Sequence, residues 1–208
     1  MKSKFLSQIP KLYNPYLHLT IPSIFGLIIF FICCNFITYF NFISLLTILF
    51  TVFSLFGFEW FVHKNILHHP RFLLKSLYEK HEIAHHSMYS HQNMSLNSLR
   101  ELYFILMPTY AIFIVFGLLV PIVFLIGWLI SLNSALIILS TSMVFFLMYE
   151  WLHLLYHLPK SKFTDNVILN KLRVLHTLHH NPFNMKKYNF NVTFPVFDVI
   201  LKTYKQNI

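Results

Sequence analysis

Two long stretches of this sequence contain no charged side chain. Residues 12–58 and residues 102–149 lack Asp, Glu, Lys and Arg, and most of their positions are apolar. A helical crossing of a bilayer needs about 20 apolar residues, so each stretch is long enough for two crossings joined by a short turn. The pattern therefore predicts four transmembrane helices arranged as two hairpins.

Turn-forming residues and prolines set the expected boundaries of these helices. Asn41 marks the turn of the first hairpin, and residues 131–134 mark the turn of the second. Pro108 and Pro121 are expected to kink or break the third helix, because proline lacks a backbone N–H and clashes with the preceding turn. The four expected helices are 21–40, 43–62, 102–130 and 135–155.

The distribution of charge agrees with a membrane protein. Only 11% of the 208 residues are charged, whereas a soluble domain carries about a quarter. All sixteen Lys and Arg lie outside the uncharged stretches, in residues 1–11, 64–100 and 160–205. If each stretch is a hairpin, these three regions share one side, which the positive-inside rule makes cytoplasmic. The net charge of +9 then contacts lipid headgroups, and we expect no nucleic-acid partner.

The predicted fold is all-α: an integral membrane protein with a cytoplasmic helical cap that carries a histidine-rich dimetal site. We expect a single domain over residues 1–208. Its parts are a basic cytoplasmic entry (1–20), the first hairpin (21–62), a cytoplasmic histidine region (63–101), the second hairpin (102–155) and a cytoplasmic histidine tail (156–208).

Eleven of the thirteen histidines fall in four groups along the chain. The groups are His63, His68 and His69; His81, His85 and His86; His153 and His157; and His176, His179 and His180. Unpaired imidazoles are costly to bury and repel each other when protonated. The grouping therefore predicts a metal site, because neutral imidazole is the commonest protein metal ligand. The isolated His18 and His91 are expected to be an interfacial residue and a loop residue.

Spacing predicts which histidines share a helical surface. Positions three or four apart lie on one face of an α-helix. The pairs with this spacing are His81 with His85, His153 with His157, and His176 with either His179 or His180. His63 and His68 are five apart, so the helix must end, or its backbone must wind irregularly, between them. His69 is then the spare histidine of its group.

The number of histidines predicts two metal ions. Zinc usually takes about four ligands and transition metals rarely more than about six, and neighbouring residues on a helix point about 100° apart. One histidine of each adjacent pair can thus serve one metal while its neighbour serves the second. The ten predicted ligands are His63, His68, His81, His85, His86, His153, His157, His176, His179 and His180.

A short repeat places a glutamate before two of these histidines. Phe58-Glu59-Trp60 precedes His63, and Tyr149-Glu150-Trp151 precedes His153. Spacings of four and three residues put each glutamate on the face of its histidine. Glu59 and Glu150 therefore either orient a ligand imidazole or simply mark the edge of the membrane.

The ligand type narrows the choice of metal. All-imidazole sites suit zinc, iron, copper and nickel, and zinc alone of these is not redox-active. A hydrolytic zinc site needs few ligands and an open water position. The large number of ligands at a membrane surface favours oxygen-activating iron, with zinc as the alternative in a purified form.

The order of the histidine boxes resembles the fatty acid hydroxylase / sterol desaturase superfamily. The matching residues are His63-x4-His68, His81-x3-His85-His86, His153-x3-His157 and His176-x2-His179-His180, and residues 189–198 resemble the closing segment of that family. The resemblance spans about residues 55 to 203. The second box departs from the usual H-x2-H-H spacing, which puts His81 in doubt as a ligand.

The resemblance implies a di-iron monooxygenase with O2 as co-substrate and a membrane lipid as substrate. It also implies a separate electron donor, of cytochrome b5 or ferredoxin type with its reductase. The expected membrane is the endoplasmic reticulum in a eukaryote or the inner membrane in a bacterium, with the histidine site on the cytoplasmic face. Hydroxylation of a fatty-acyl chain is the leading function, in lipid biosynthesis. Sterol or carotenoid oxidation and desaturation would use the same site.

A metal transporter or sensor is the alternative from a different functional class. Transporters place polar or ionisable ligands near the middle of the bilayer, often on broken helices. The middle of each uncharged stretch contains no histidine. The sequence therefore favours an enzyme over a transporter.

Overall fold

A computed structural model describes residues 2–162 and 164–206 of the chain. The described part is all-helical, with 69% of its residues in helices and none in strands. Its α-helices are α1 (Lys2–Leu6), α2 (Pro15–Phe36), α3 (Phe42–Val62), α4 (Lys75–Tyr78), α5 (His86–Met88), α6 (Leu102–Ile105), α7 (Ala111–Leu129), α8 (Leu132–His157), α9 (Val167–His179) and α10 (Val196–Ile200). Two π-helical segments, His63–Leu67 and Glu79–His85, and two short 3₁₀ turns, Phe72–Leu74 and Leu99–Glu101, lie between them.

Four of the helices are long and apolar enough to cross a membrane. They are Pro15–Phe36, Phe42–Leu67, Ala111–Leu129 and Leu132–His157. The shortest has 19 residues, which at 1.5 Å per residue spans about 28 Å, close to the hydrocarbon thickness of a bilayer. The prediction of four membrane-length helices is thus confirmed, although individual ends differ.

Prolines and caps explain where these helices begin and end. α2 begins at Pro15, earlier than predicted, because proline is well tolerated at the first helical position. It ends at Phe36, and the next helix starts after Asn41, whose side-chain Oδ1 accepts from Ser44 N at 3.0 Å. This bond satisfies an N–H that the first turn of α3 leaves free.

The third predicted helix, 102–130, is in fact two helices. α6 ends at Ile105 and α7 begins at Ala111, with Pro108 in the break. The freed backbone is compensated, because Met107 N donates to the two carboxylate oxygens of Glu150 at 3.2 Å each. Pro121 lies inside the continuous α7 and does not break it, as is common in apolar helices.

The chain divides into two compact units. One comprises Met1–Pro15, Phe56–Leu106 and Trp151–Ile208, and the other comprises Tyr16–Leu55 and Met107–Glu150. We call the first the histidine unit, because all four histidine groups lie in it, and the second the apolar unit. The core of the apolar unit is built from Ile112, Met143 and Leu147.

Candidate metal centre

The ten predicted ligands form two clusters of five within the histidine unit. Cluster A contains His63, His68, His81, His86 and His179. Cluster B contains His85, His153, His157, His176 and His180. In each cluster the five ligand nitrogens lie within 4.8 Å of one another, and no side chain is more than 9% exposed. Each cluster has the composition and size to hold a metal ion.

The Nε2 atoms converge at spacings that suit metal ligands. In cluster A, His63 and His68 each have an Nε2 partner at 3.0 Å, on His81 and His179 respectively. In cluster B, the Nε2 atom of His180 lies 3.1 Å from that of His176. Two cis ligands, each about 2.1 Å from a metal, lie about 3 Å apart. The spacing is therefore what a central ion requires.

The π-helical segments explain two pairs that an α-helix would separate. His63 and His68 both lie in cluster A, because the segment His63–Leu67 winds with about one residue more per turn. His81 pairs in the same way with His86, with their Nε2 atoms 3.2 Å apart. The α-helical spacing that pairs His81 with His85 does not hold here, because the π-helical backbone places His81 in cluster A and His85 in cluster B.

Adjacent histidines point into different clusters. His85 belongs to cluster B and His86 to cluster A, while His179 belongs to A and His180 to B. His180 pairs with His176, four residues before it on the last turn of α9. The two clusters are thus interleaved along the chain, and each of these two adjacent pairs contributes one imidazole to each cluster. The third adjacent pair, His68 and His69, does not, because His69 lies in neither cluster.

Backbone carbonyls fix the orientation of five of the ten rings. The Nδ1 partners are the carbonyls of Phe190 for His63 (2.5 Å), Phe104 for His85 (3.0 Å), Met94 for His157 (2.7 Å), Tyr188 for His179 (2.8 Å) and Tyr89 for His180 (2.6 Å). An Nδ1–H that donates to a carbonyl leaves the lone pair of Nε2 for a metal. The Nδ1 atoms of His86 and His176 are buried without a hydrogen-bond partner among the described residues.

Burial keeps these imidazoles neutral. Desolvation lowers the pKa of His179 to about 4, and it lowers the pKa of His68, His85 and His180 well below the ordinary value for histidine. The neighbouring imidazoles lower the pKa values of these last three further. In neutral rings whose Nδ1–H points outward, the Nε2 lone pairs lie close together and repel one another. A cation bound between them removes this repulsion. The donor set therefore fits a metal in both clusters.

One carboxylate in the site was not predicted from the sequence. His68 Nδ1 donates to Glu82 Oε2, and Lys186 Nζ lies 3.1 Å from the other oxygen, Oε1. Burial lowers the pKa of His68 and raises the pKa of Glu82, while the Lys186 ammonium opposes the rise at Glu82. The signal in the sequence was a charged residue directly after His81, inside a histidine box.

Glu59 forms hydrogen bonds to the closing segment, residues 189–198. Its carboxylate accepts from Val192 N at 2.5 Å, and from Thr193 N at 2.9 Å and Thr193 Oγ1 at 2.5 Å. Because the carbonyl of Phe190 accepts from His63, Glu59 supports this ring through the backbone. Glu150 belongs to the apolar unit, where it accepts from Met107 N.

Asp198 fastens the same segment from its other end. Its carboxylate accepts from Phe190 N at 3.0 Å, Asn191 N at 2.8 Å and Thr203 Oγ1 at 2.6 Å. The side chain is fully buried. Asp198 thus has a structural role, and the closing segment that it holds supports cluster A.

The remaining histidines lie outside both clusters. His69 is exposed, and its Nδ1 contacts the Lys64 carbonyl at 2.8 Å. His18 is buried in the apolar unit, where its Nε2 lies 2.8 Å from the Met107 carbonyl. His91 lies in the turn between Ser90 and Asn93. The spare role of His69 is consistent with this placement.

Comparison with known proteins does not identify a family for this chain. No family model, no curated protein and no solved structure matches this chain. The geometry of the two clusters and the order of the histidine boxes are therefore the features that indicate a function.

Proposed function

We propose that the protein is an O2-dependent di-iron oxygenase that hydroxylates an unactivated C–H bond of a fatty-acyl or related lipid chain. The observation that carries the proposal is the pair of buried five-histidine clusters. Their position supports it: His63 directly follows α3, and His153 and His157 lie in the last turns of α8, both membrane-length helices. The resemblance of the four histidine boxes to the fatty acid hydroxylase / sterol desaturase superfamily gives the same reaction class.

The donor set favours iron in the proposal. Five imidazoles per cluster exceed the usual four ligands of zinc, and imidazole suits iron as well as zinc. When bound, two irons would supply the redox chemistry, in which one oxygen atom enters the C–H bond and the other leaves as water. Two electrons and two protons per turnover would come from a separate donor of cytochrome b5 or ferredoxin type.

The residues of this chain orient and isolate the site. Nδ1–H groups that donate to the carbonyls of Phe190, Phe104 and Tyr89 hold three rings with Nε2 directed inward. Burial of all ten imidazoles excludes bulk water, which protects a reactive metal centre from side reactions.

Membrane placement supports a lipid substrate. An alkyl chain dissolved in the bilayer reaches the ends of apolar helices such as α3 and α8 without entering water. Within the apolar unit, Asn133 Oδ1 accepts from Thr38 N at 3.0 Å and Asn133 Nδ2 donates to the Tyr39 carbonyl at 2.8 Å. This contact between the turn after α2 and the first turn of α8 supports two hairpins with their turns on one side. The basic segments and the histidine site then face the cytoplasm.

Desaturation is the nearest competing reaction, since it would use the same ligands. Sterol or carotenoid oxidation differs only in the lipid. A metal transporter is less compatible with the structure, because the clusters lie at helix ends, whereas transport sites lie near the bilayer midplane.

The test is product analysis in cells that express the protein. Wild-type protein supplied with ¹⁸O2 should yield a hydroxylated lipid carrying one labelled oxygen. His176→Ala should abolish the product, and His69→Ala, which changes an exposed histidine, should retain it. An alkene without label would replace hydroxylation by desaturation, and an unchanged lipidome would refute an oxygenase.

A further inference from the structure

The surroundings of the two clusters differ in charge. In cluster A, His68 donates to the carboxylate of Glu82, which is 6% exposed. In cluster B, His85, His157 and His180 donate to neutral backbone carbonyls. When an imidazole donates its Nδ1–H to a carboxylate, its Nε2 becomes a more basic metal ligand than when the acceptor is a backbone carbonyl.

Cluster B has a buried cation beside it. Arg173 is 8% exposed, and its Nη2 donates to the Leu155 carbonyl at 2.8 Å. Its Nε and Nη1 have no hydrogen-bond partner among the described residues. Arg173 precedes His176 by three residues on α9, and Leu155 lies in the same turn of α8 as His157. The guanidinium therefore adds positive charge on the side of cluster B.

A second pair of charges near cluster B forms a close ion pair. Tyr89, which packs against His157, donates its hydroxyl to Glu101 at 2.9 Å. Lys2 Nζ lies 3.1 Å from the same oxygen of Glu101. Arg173, by contrast, forms no ion pair with any described residue.

We infer that the two metal sites are inequivalent, and that Glu82 is a positioning residue that makes cluster A the tighter of the two. The inference rests on the dimetal centre of the proposed function and adds an assignment to it. Glu82 places a buried carboxylate against a ligand of cluster A, and its partner Lys186 is 50% exposed, so that solvent screens the ammonium and negative charge remains beside cluster A. Positive charge on Arg173 disfavours a cation in cluster B, because like charges in a poorly solvated site repel strongly.

Lys186 adjusts this effect from the surface. Its side chain is 50% exposed, and its ammonium lies 3.1 Å from Glu82 Oε1. The ammonium withdraws negative charge from the carboxylate that His68 contacts. Removing it should make Glu82 a stronger acceptor and strengthen the hold of cluster A.

The experiment measures metal release without any turnover. Purified protein in detergent is loaded with Fe²⁺ under anaerobic conditions and challenged with a coloured Fe²⁺ chelator. Wild-type protein should release iron in two phases of equal amplitude. Glu82→Gln keeps a hydrogen-bond acceptor but removes its charge, so it should accelerate the slow phase by about 10- to 100-fold and leave the fast phase unchanged. Glu79→Gln is the matched control, since Glu79 is an exposed carboxylate of the same π-helical segment.

A substitution at the surface tests the inference even if Glu82→Gln fails to fold. Lys186→Gln should slow the slow phase, whereas Lys187→Gln, which changes the exposed neighbour, should change neither phase. With ⁵⁷Fe, Mössbauer spectra should show two quadrupole doublets, of which Glu82→Gln shifts one. Equal acceleration of both phases by Glu82→Gln, or no effect of either variant, would overturn the inference.

Failure of this inference is distinguishable from failure of the proposed function. Single-phase release from a protein that makes labelled hydroxylipid overturns the inequivalence and leaves the oxygenase intact. Two-phase release that responds to Glu82→Gln, in a protein that oxidises no lipid, leaves the inference intact and refutes the oxygenase.

Discussion

His81 Nε2 lies 3.2 Å from His86 Nε2, although the two residues are five positions apart in the sequence. The π-helical winding of Glu79–His85 brings the two imidazoles to one face. His85, the intervening candidate, is directed instead to cluster B. π-helical turns occur often at functional sites, and here one such turn divides three histidines between two clusters.

This division predicts different effects for two neighbouring substitutions. His86→Ala should empty cluster A and His85→Ala should empty cluster B, because each removes one of five ligands from a different cluster. Each variant should hold about one iron per chain after reconstitution, and the double variant almost none. Metal analysis by mass spectrometry, with protein folding checked by circular dichroism, measures this.

The control for these variants is His69→Ala, which should retain the iron of the wild type because His69 is exposed and outside both clusters. Mössbauer spectra of the two single variants should retain different doublets. Identical residual spectra would contradict the assignment of His85 and His86 to separate metals.

Asp198 should matter for stability through the closing segment. Asp198→Ala leaves Phe190 N and Asn191 N without their acceptor, and hydrogen bonds to charged groups contribute about 1.5–3 kcal/mol each. We expect the free energy of unfolding to fall by about 3 kcal/mol, and iron in cluster A to be released faster because Phe190 supports His63. Thermal unfolding in detergent measures the first effect. Asp165→Ala, at an exposed site, should change neither property.

Two glycines in apolar helices form a matched pair. A Cβ added at Gly57 would lie 2.8 Å from Phe197 Cζ, whereas at Gly117 it would meet nothing within 4 Å. Gly57→Ala should therefore destabilise the protein by about 1–3 kcal/mol, as overpacking does. Gly117→Ala should be neutral, or stabilising by less than about 1 kcal/mol. Equal melting temperatures for the two variants would show that the close Gly57–Phe197 contact does not limit the stability of the protein.

Acid should destabilise the protein and release its metal. The pKa of His179 is lowered by burial to about 4, against about 6.5 in an unfolded chain. Between these values the unfolded chain binds more protons, so the stabilisation is fully present above about pH 6.5 and is lost as the pH falls towards about 4. Protons also compete with a metal for imidazole. Unfolding and iron retention measured from pH 8 to pH 4.5 should decline together below about pH 6.5, and flat curves would contradict neutral, buried imidazoles.

The apolar helices could be predicted from the sequence because their signal is local. Stretches without charge define membrane-length helices whatever the rest of the chain does, and Pro108 correctly marked a break. Pro121 did not, because an apolar helix tolerates the loss of one hydrogen bond. Whether a proline breaks its helix depends on the packing around it, and the identity of the residue alone does not determine that packing.

The candidate site was predictable in its membership but not in its pairing. Histidine grouping selected the ten residues that meet in the structure, while α-helical spacing paired His81 with the wrong neighbour. The backbone at Glu79–His85 winds as a π-helix, and no sequence rule for α-helices shows this. Glu82 was missed for a related reason, since its contact with His68 depends on two π-helical segments meeting.

The most direct test of the dimetal centre is the iron content and ligation of the reconstituted protein. We expect two irons per chain, and X-ray absorption should show ligation dominated by imidazole nitrogen at about 2.1 Å. His157→Ala and His68→Ala should each lower the content to about one. A wild-type protein that binds no more than one iron, or variants that retain both, would contradict the two-cluster account.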